Sequence, residues 1–212
     1  MESPLYETAD PDLKVLETLR WSANGGFVRL DMHLGRAERT CRRLRFSFLR
    51  TEIDTALAMV PRETDQRVRL AIARDGTVDL TTADIGEEPL MWRVAISATH
   101  LQSNDPWLAV KTTRRAVYDA ARAAMPDGVD ETILLNESDA VCEGTITNVF
   151  VRKGPDMLTP ALACGLLPGV LRQSLLEQGK VKEAFLTVSD LHAADALFVG
   201  NSLRGLIAAK LV

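Results

Sequence analysis

Cysteine is scarce in this chain: Cys41, Cys142 and Cys164 are an odd number with no CxxC spacing. A disulfide framework or a zinc site is not expected, and a reducing cytoplasm fits. Three histidines are too few for a multi-histidine metal centre. No run approaches the roughly 18 apolar residues of a membrane span. The N-terminal MESPLYETADPDLK is acidic and lacks the apolar stretch of a secretory signal. A net charge of −4 gives no reason to expect nucleic acid or an anionic membrane as a partner. Lysine is rare as well, six residues against 19 arginines, so most of the positive charge sits on a group that does not deprotonate.

What is present is ordinary for a soluble globular protein: 46% hydrophobic and 25% charged residues, in 212 residues that suffice for one large domain or two small ones. Residues 1–12 read as a loosely tied arm. Val15–Trp21 reads as a strand, and Asn24-Gly25-Gly26 turns it into a second strand, Phe27–Leu30. Asp31 is placed to cap a helix to about Phe46, with Met32, Leu34, Ala37, Cys41 and Leu44 inward. The arginines at 36, 39, 42, 43 and 45 read as a solvated face of that helix. A second helix covers Thr51–Met59. Arg67–Ala73 and Thr77–Thr81 flank Asp75-Gly76 as a hairpin, and Met91–Ala98 follows as another strand of the first half. Polar THLQSNDP, residues 99–106, reads as a linker between domains 1–98 and 107–212. Beyond it the pattern predicts a helix over Thr113–Met125 and strands at Thr132–Leu135, Thr147–Arg152 and Leu158–Pro160. A helix to about Gln178, the strand Phe185–Val188, a short helix capped by Ser189, the strand Ala196–Val199 and a closing segment, Leu203–Leu211, complete an α+β chain.

Several residues carry chemistry. Lys111 ends an apolar run between Val110 and Thr112; its ammonium either reaches water or loses its charge and becomes a nucleophile. Glu143, in AVCEGTITNVFV, sits among apolar and small residues, where a carboxylate needs a cationic or protonated partner. Leu167-Pro168-Gly169-Val170-Leu171-Arg172 puts proline and glycine at a helix entrance, a plain helix start or an anion seat. Gly200-Asn201-Ser202 offers small donors after a strand, and Arg36 adds a guanidinium. Together these are what pyridoxal phosphate needs: an amine for a Schiff base, an acid for the pyridine nitrogen, and donors for a phosphate dianion.

The order and spacing resemble the class IV aminotransferases, the fold-type IV pyridoxal-phosphate enzymes. The matching pieces are His33-Leu34-Gly35-Arg36, Lys111-Thr112, Glu143-Gly144-Thr145-Ile146-Thr147-Asn148-Val149-Phe150, Leu167–Arg172 and Asn201-Ser202-Leu203-Arg204-Gly205. The resemblance implies a two-domain fold with a smaller N-terminal α+β domain, a C-terminal pseudo-barrel and the cofactor in the cleft between them, commonly in a homodimer. It implies that Lys111 binds pyridoxal 5'-phosphate and moves the Cα proton, and that Glu143 pairs with the pyridine nitrogen. Arg36, the N–H groups of Val170 and Leu171, and Ser202 would hold the phosphate. Gly169, Thr145, Ile146, Thr147 and Asn201 would complete the cofactor pocket.

Two departures fall on substrate-facing parts. The family's glycine-rich stretch before the first strand is replaced by MESPLYETADPDLK. The loop that supplies an arginine for a substrate carboxylate is cut to Asp75-Gly76, with Arg74 left as a candidate. Thr18, in VLETLRW, and Asn201-Ser202-Leu203-Arg204-Gly205 resemble the 4-amino-4-deoxychorismate lyase branch, with Thr18 facing the substrate. The expected function is release of 4-aminobenzoate and pyruvate from that small-molecule substrate. The alternatives are an amino-acid transaminase of branched-chain or D-amino-acid type, and a non-catalytic binding protein on the same fold.

Overall fold

The structure, a computed structural model, describes residues 4–7, 9–86 and 89–212. Backbone packing divides the chain into two units, Met1–Glu87 with Val110–Arg114, and Glu88–Ala109 with Arg115–Val212. Part of the expected N-terminal arm lies outside the described residues; within it, α1 (Pro4–Glu7) is a single helical turn whose Leu5 is buried.

The first unit is an antiparallel sheet of β1 (Val15–Ser22), β2 (Gly26–Phe27), β3 (Gln66–Ile72) and β4 (Val78–Asp84), in the order β2-β1-β3-β4. Burial alternates along β3 as its sequence predicts. The turn to β4 needs Gly76, whose φ of +92° disfavours any side chain, and its N–H donates to Ala73 O at 3.0 Å. Between β2 and β3 lie α2 (Leu30–Leu44) and α3 (Arg50–Ala58). The inner side of α2 carries Leu34, Ala37, Cys41 and Leu44 at helical spacing, and also the buried polar residues His33 and Arg36. Arg29, in a left-handed conformation, precedes the helix, so Asp31 lies in the first turn instead of capping it. Arg74 stacks over the Tyr6 and Phe46 rings, with centroids 5.6 and 5.3 Å away, which accounts for it as a packing residue.

The second unit holds eight strands: β5 (Met91–Leu101), β6 (Glu131–Asn136), β7 (Val141–Gly144), β8 (Asn148–Lys153), β9 (Asp156–Pro160), β10 (Lys182–Ala184), β11 (Ala196–Asn201) and β12 (Gly205–Leu211). Their order is β10-β9-β8-β11-β12-β5-β6-β7, and β7 also pairs with β8 through Glu143 and Asn148. That last pairing closes six strands into a barrel-like ring. The core brings together Val94, Ile133, Val149, Val151, Val199 and Ile207, each from an alternating face of a ring strand.

Two expectations are corrected by the structure. The strand starting at Met91 pairs in parallel with β12 and β6 of the second unit and continues through residues 99–101. The division of the chain therefore does not fall at 99–106, and the expected domains 1–98 and 107–212 are redrawn. Its partners are remote in sequence, and local pattern cannot assign them. The helix expected from Thr113 starts three residues later, as α4 (Ala116–Ala123). Lys111 O accepts from Leu16 N–H and Thr113 N–H donates to Lys14 O, both at 2.9 Å, so this backbone is already committed to β1. The remaining helices are α5 (Val170–Glu177) and α6 (Val188–His192); Thr187, not Ser189, caps α6 in a capping box with Asp190. Among the described residues no helix is long and apolar enough to cross a membrane.

Candidate active site

In the first unit, alternation along β1 aims Glu17 at α2. Its carboxylate is 1% exposed and accepts from Arg36 Nε at 2.8 Å and Arg36 Nη2 at 2.6 Å, with His33 Nδ1 2.6 Å away. The His33–Arg36 spacing of three residues is one helical turn, which lets both reach one carboxylate. Burial pushes the Glu17 carboxyl up, but the Arg36 charge and the His33 and Arg36 hydrogen bonds outweigh it and hold it at about 2. A carboxyl lowered from 4.5 to about 2 contributes on the order of 3 kcal/mol of stability. The sign follows from proton uptake: the unfolded chain binds this proton near pH 4.5 and the folded chain only near pH 2. The contribution is complete above pH 4.5 and is lost as pH falls toward 2. Urea unfolding of wild type should lose stability steeply across that window and Glu17→Gln should lose little; coinciding slopes would contradict the assignment.

Thr18 alternates with Glu17 and therefore points away from the Arg36 pair. Lys111 stands opposite Leu16, next to the antiparallel bridge between Val15 and Thr112, so it falls on the same face of β1 as Leu16 and Thr18. The structure thus brings Lys111 and Thr18 to one face of the strand, with Arg36 fixed by the other.

In the second unit, a bulge aims Glu143. Leu134 pairs with Glu143 and Leu135 with Val141, which leaves Cys142 as the extra residue. Val141 stays in the barrel core while Glu143 turns toward α4. Glu143 is 4% exposed; its Oε1 accepts from the Tyr118 hydroxyl at 2.8 Å and from Leu167 N–H at 3.0 Å. The second bond ties the carboxylate to the loop that opens α5. Gly169 is the N-cap of α5, and a Cβ there would lie 1.8 Å from Asn148 Oδ1. Asn148 Nδ2 in turn donates to Leu167 O at 3.1 Å, so the loop can approach the barrel only because residue 169 has no side chain. Val170 and Leu171 form the first turn of α5, where N–H groups have no partner within the helix.

Thr145, Ile146 and Thr147 are wrapped around a carboxylate that sequence reasoning missed. Glu131, 0% exposed, accepts from Thr145 N–H (3.0 Å), Thr145 Oγ1 (2.6 Å), Ile146 N–H (3.1 Å), Thr147 Oγ1 (3.0 Å) and its neighbour Thr132 N–H (3.0 Å). The hydroxyls of Thr145 and Thr147 are thus engaged with Glu131. Gly144 makes room: a Cβ would lie 2.8 Å from the Glu131 carboxyl. Arg122 Nη1 donates to Thr145 Oγ1 at 3.0 Å, and Arg115 Nη2 to Thr145 O at 2.9 Å. The available signal was a glutamate at the head of the apolar strand ETILLN. Asn201 joins this loop by donating from Nδ2 to Ile146 O at 3.2 Å, while its Oδ1 accepts from Leu203 and Arg204 N–H. Ser202 is buried beside it. A Cβ on Gly200 would lie 3.0 Å from a Leu171 methyl, so this loop and the start of α5 adjoin.

A closed barrel-like sheet following an α+β unit is the architecture of the fold-type IV aminotransferases. Residues 14–212 match the amino-transferase class IV family, and the chain belongs to it. A crystal structure from Mesorhizobium loti, provisionally named an amino-acid aminotransferase, is 41% identical with a TM-score of 0.91, covering 95% of this chain and 100% of that one. A Schizosaccharomyces pombe relative, provisionally named an aminodeoxychorismate lyase, is 27% identical over 96% of this chain and 87% of its own length. A Thermotoga maritima relative, provisionally named a branched-chain-amino-acid aminotransferase, is 34% identical over 47% of this chain; the match spans only 38% of that protein. The family's members include aminotransferases and lyases, so the chain is an enzyme of that family.

Proposed function

We propose that the chain binds pyridoxal 5'-phosphate and acts as a 4-amino-4-deoxychorismate lyase, releasing 4-aminobenzoate and pyruvate. The observation that carries the cofactor reading is the Leu167 N–H to Glu143 Oε1 bond at 3.0 Å, which joins a buried carboxylate to a glycine-led helix start. This donor set fits the cofactor: a buried carboxylate for a pyridine nitrogen, unfilled N–H groups and a buried hydroxyl for a phosphate dianion. When bound, the cofactor supplies a sink for the electrons released at Cα. In this reading Lys111 is the attaching amine and takes the Cα proton, and Glu143 keeps the pyridine nitrogen protonated. Val170 and Leu171 N–H groups and Ser202 donate to the phosphate together with Arg36, whose guanidinium also carries the Glu17 ion pair, and Gly169 lets the helix start approach it. Thr145, Ile146, Thr147 and Asn201 hold the wall in which Glu143 lies, and Thr18 contacts the substrate. The working form is a cytoplasmic homodimer.

The lyase choice rests on Thr18 in VLETLRW and on the S. pombe relative, which matches nearly end to end. The M. loti relative's identity favours a second reading, an amino-acid transaminase. One experiment separates them. Purified chain with pyridoxal phosphate is given aminodeoxychorismate in one arm, and an amino-donor panel with 2-oxoglutarate in the other. The lyase reading expects 4-aminobenzoate in the first arm and little glutamate in the second; the opposite pattern assigns the transaminase.

A further inference from the structure

Tyr118 lies at the candidate site with no part in the proposed chemistry. It sits on α4, half-buried against the cluster that contains Leu134 and Cys142. Phenylalanine would fill that space equally well, and burying a hydroxyl is unfavourable unless it is hydrogen-bonded. Here the hydroxyl is committed: it donates to Glu143 Oε1 at 2.8 Å, the same oxygen that Leu167 N–H reaches at 3.0 Å. Two donors on one carboxylate oxygen fix the plane of the group and draw electron density from it. The phenol is itself held in place. Arg115 lies over its ring, 5.2 Å from the centroid, and is anchored by its own bond to Thr145 O.

We propose that Tyr118 is a positioning residue for Glu143, orienting its carboxylate and tempering its basicity toward the pyridine nitrogen of the cofactor. The inference rests on the pyridoxal-phosphate reading of the site. The titratable and charged groups around the phenol are Glu143, Arg115 and Cys142. Burial first, then the Glu143 charge and hydrogen bond, push the phenol's ionisation far above its ordinary range, so Tyr118 acts as a donor and not as a base.

The consequence is spectroscopic. Without the hydroxyl, Glu143 becomes more basic and the pyridine nitrogen holds its proton more firmly. The ring then withdraws more electron density, which lowers the pH at which the visible band of the bound cofactor is half lost. Holoenzyme is titrated across pH for wild type and Tyr118→Phe, with thermal unfolding measured in parallel. The midpoint should fall by roughly half a unit or more in the variant, with only a small change in Tm. An unchanged midpoint, whatever the Tm, overturns the proposal and leaves Tyr118 a packing residue. If Tyr118→Phe does not fold, the same titration on protein carrying 3-fluorotyrosine, a stronger donor, should move the midpoint upward; no movement overturns the proposal. A wild type that develops no visible band with pyridoxal phosphate removes the cofactor reading and this inference with it.

Discussion

Lys111→Ala protein should turn substrate over at least roughly a thousandfold more slowly than wild type, and should stay colourless with pyridoxal phosphate. Two losses combine in this variant: the amine that attaches the cofactor and the base that takes the Cα proton. The fold should survive. Lys111 contributes to the first unit through its backbone, accepting from Leu16 N–H beside the Val15–Thr112 bridge, and alanine keeps that carbonyl. Equal Tm values with a lost rate would separate chemistry from stability. Near-wild-type turnover by Lys111→Ala would remove Lys111 from the reaction.

Glu131→Ala should have the largest effect on stability, costing about 3–5 kcal/mol in urea unfolding. Its carboxylate collects three backbone N–H groups and two threonine hydroxyls at a position 0% exposed to solvent. Removing it strands these donors inside the protein, four of them in the turn that links β7 to β8. That turn also closes the barrel through Glu143 and Asn148, so the damage spreads to the candidate site. A cost below about 1 kcal/mol would mean that water replaces the carboxylate and that the network is not structural.

The contrast between Lys111 and Glu131 marks what the sequence makes legible. Lys111, Glu143, Arg36 and the Leu167–Arg172 segment stand out because each lies in a short contiguous motif, although their partners Leu16, Tyr118 and Glu17 are remote in sequence. The β3–β4 hairpin was legible for the same reason, with alternating strands meeting at Asp75-Gly76. Glu131 meets Thr145 and Thr147 from 14 and 16 residues away, and Glu17 meets His33 and Arg36 across a similar gap. Neither glutamate announces such partners locally. The bulge at Cys142 breaks the alternation that would have identified β7, and it is this bulge that turns Glu143 toward Tyr118. β5 was legible as a strand, but its sheet was not, because parallel partners come from chain segments that local periodicity cannot see. The helix after Lys111 appeared too long because helix propensity carries no record of backbone groups already bonded to β1.

The central claim, that Lys111 carries the cofactor, is tested most directly by reducing the protein with borohydride in the presence of pyridoxal phosphate and mapping the modified peptide. The account predicts a visible band that bleaches on reduction and a stable pyridoxyl adduct on Lys111 alone among the six lysines. An adduct on another lysine, or none, would contradict it.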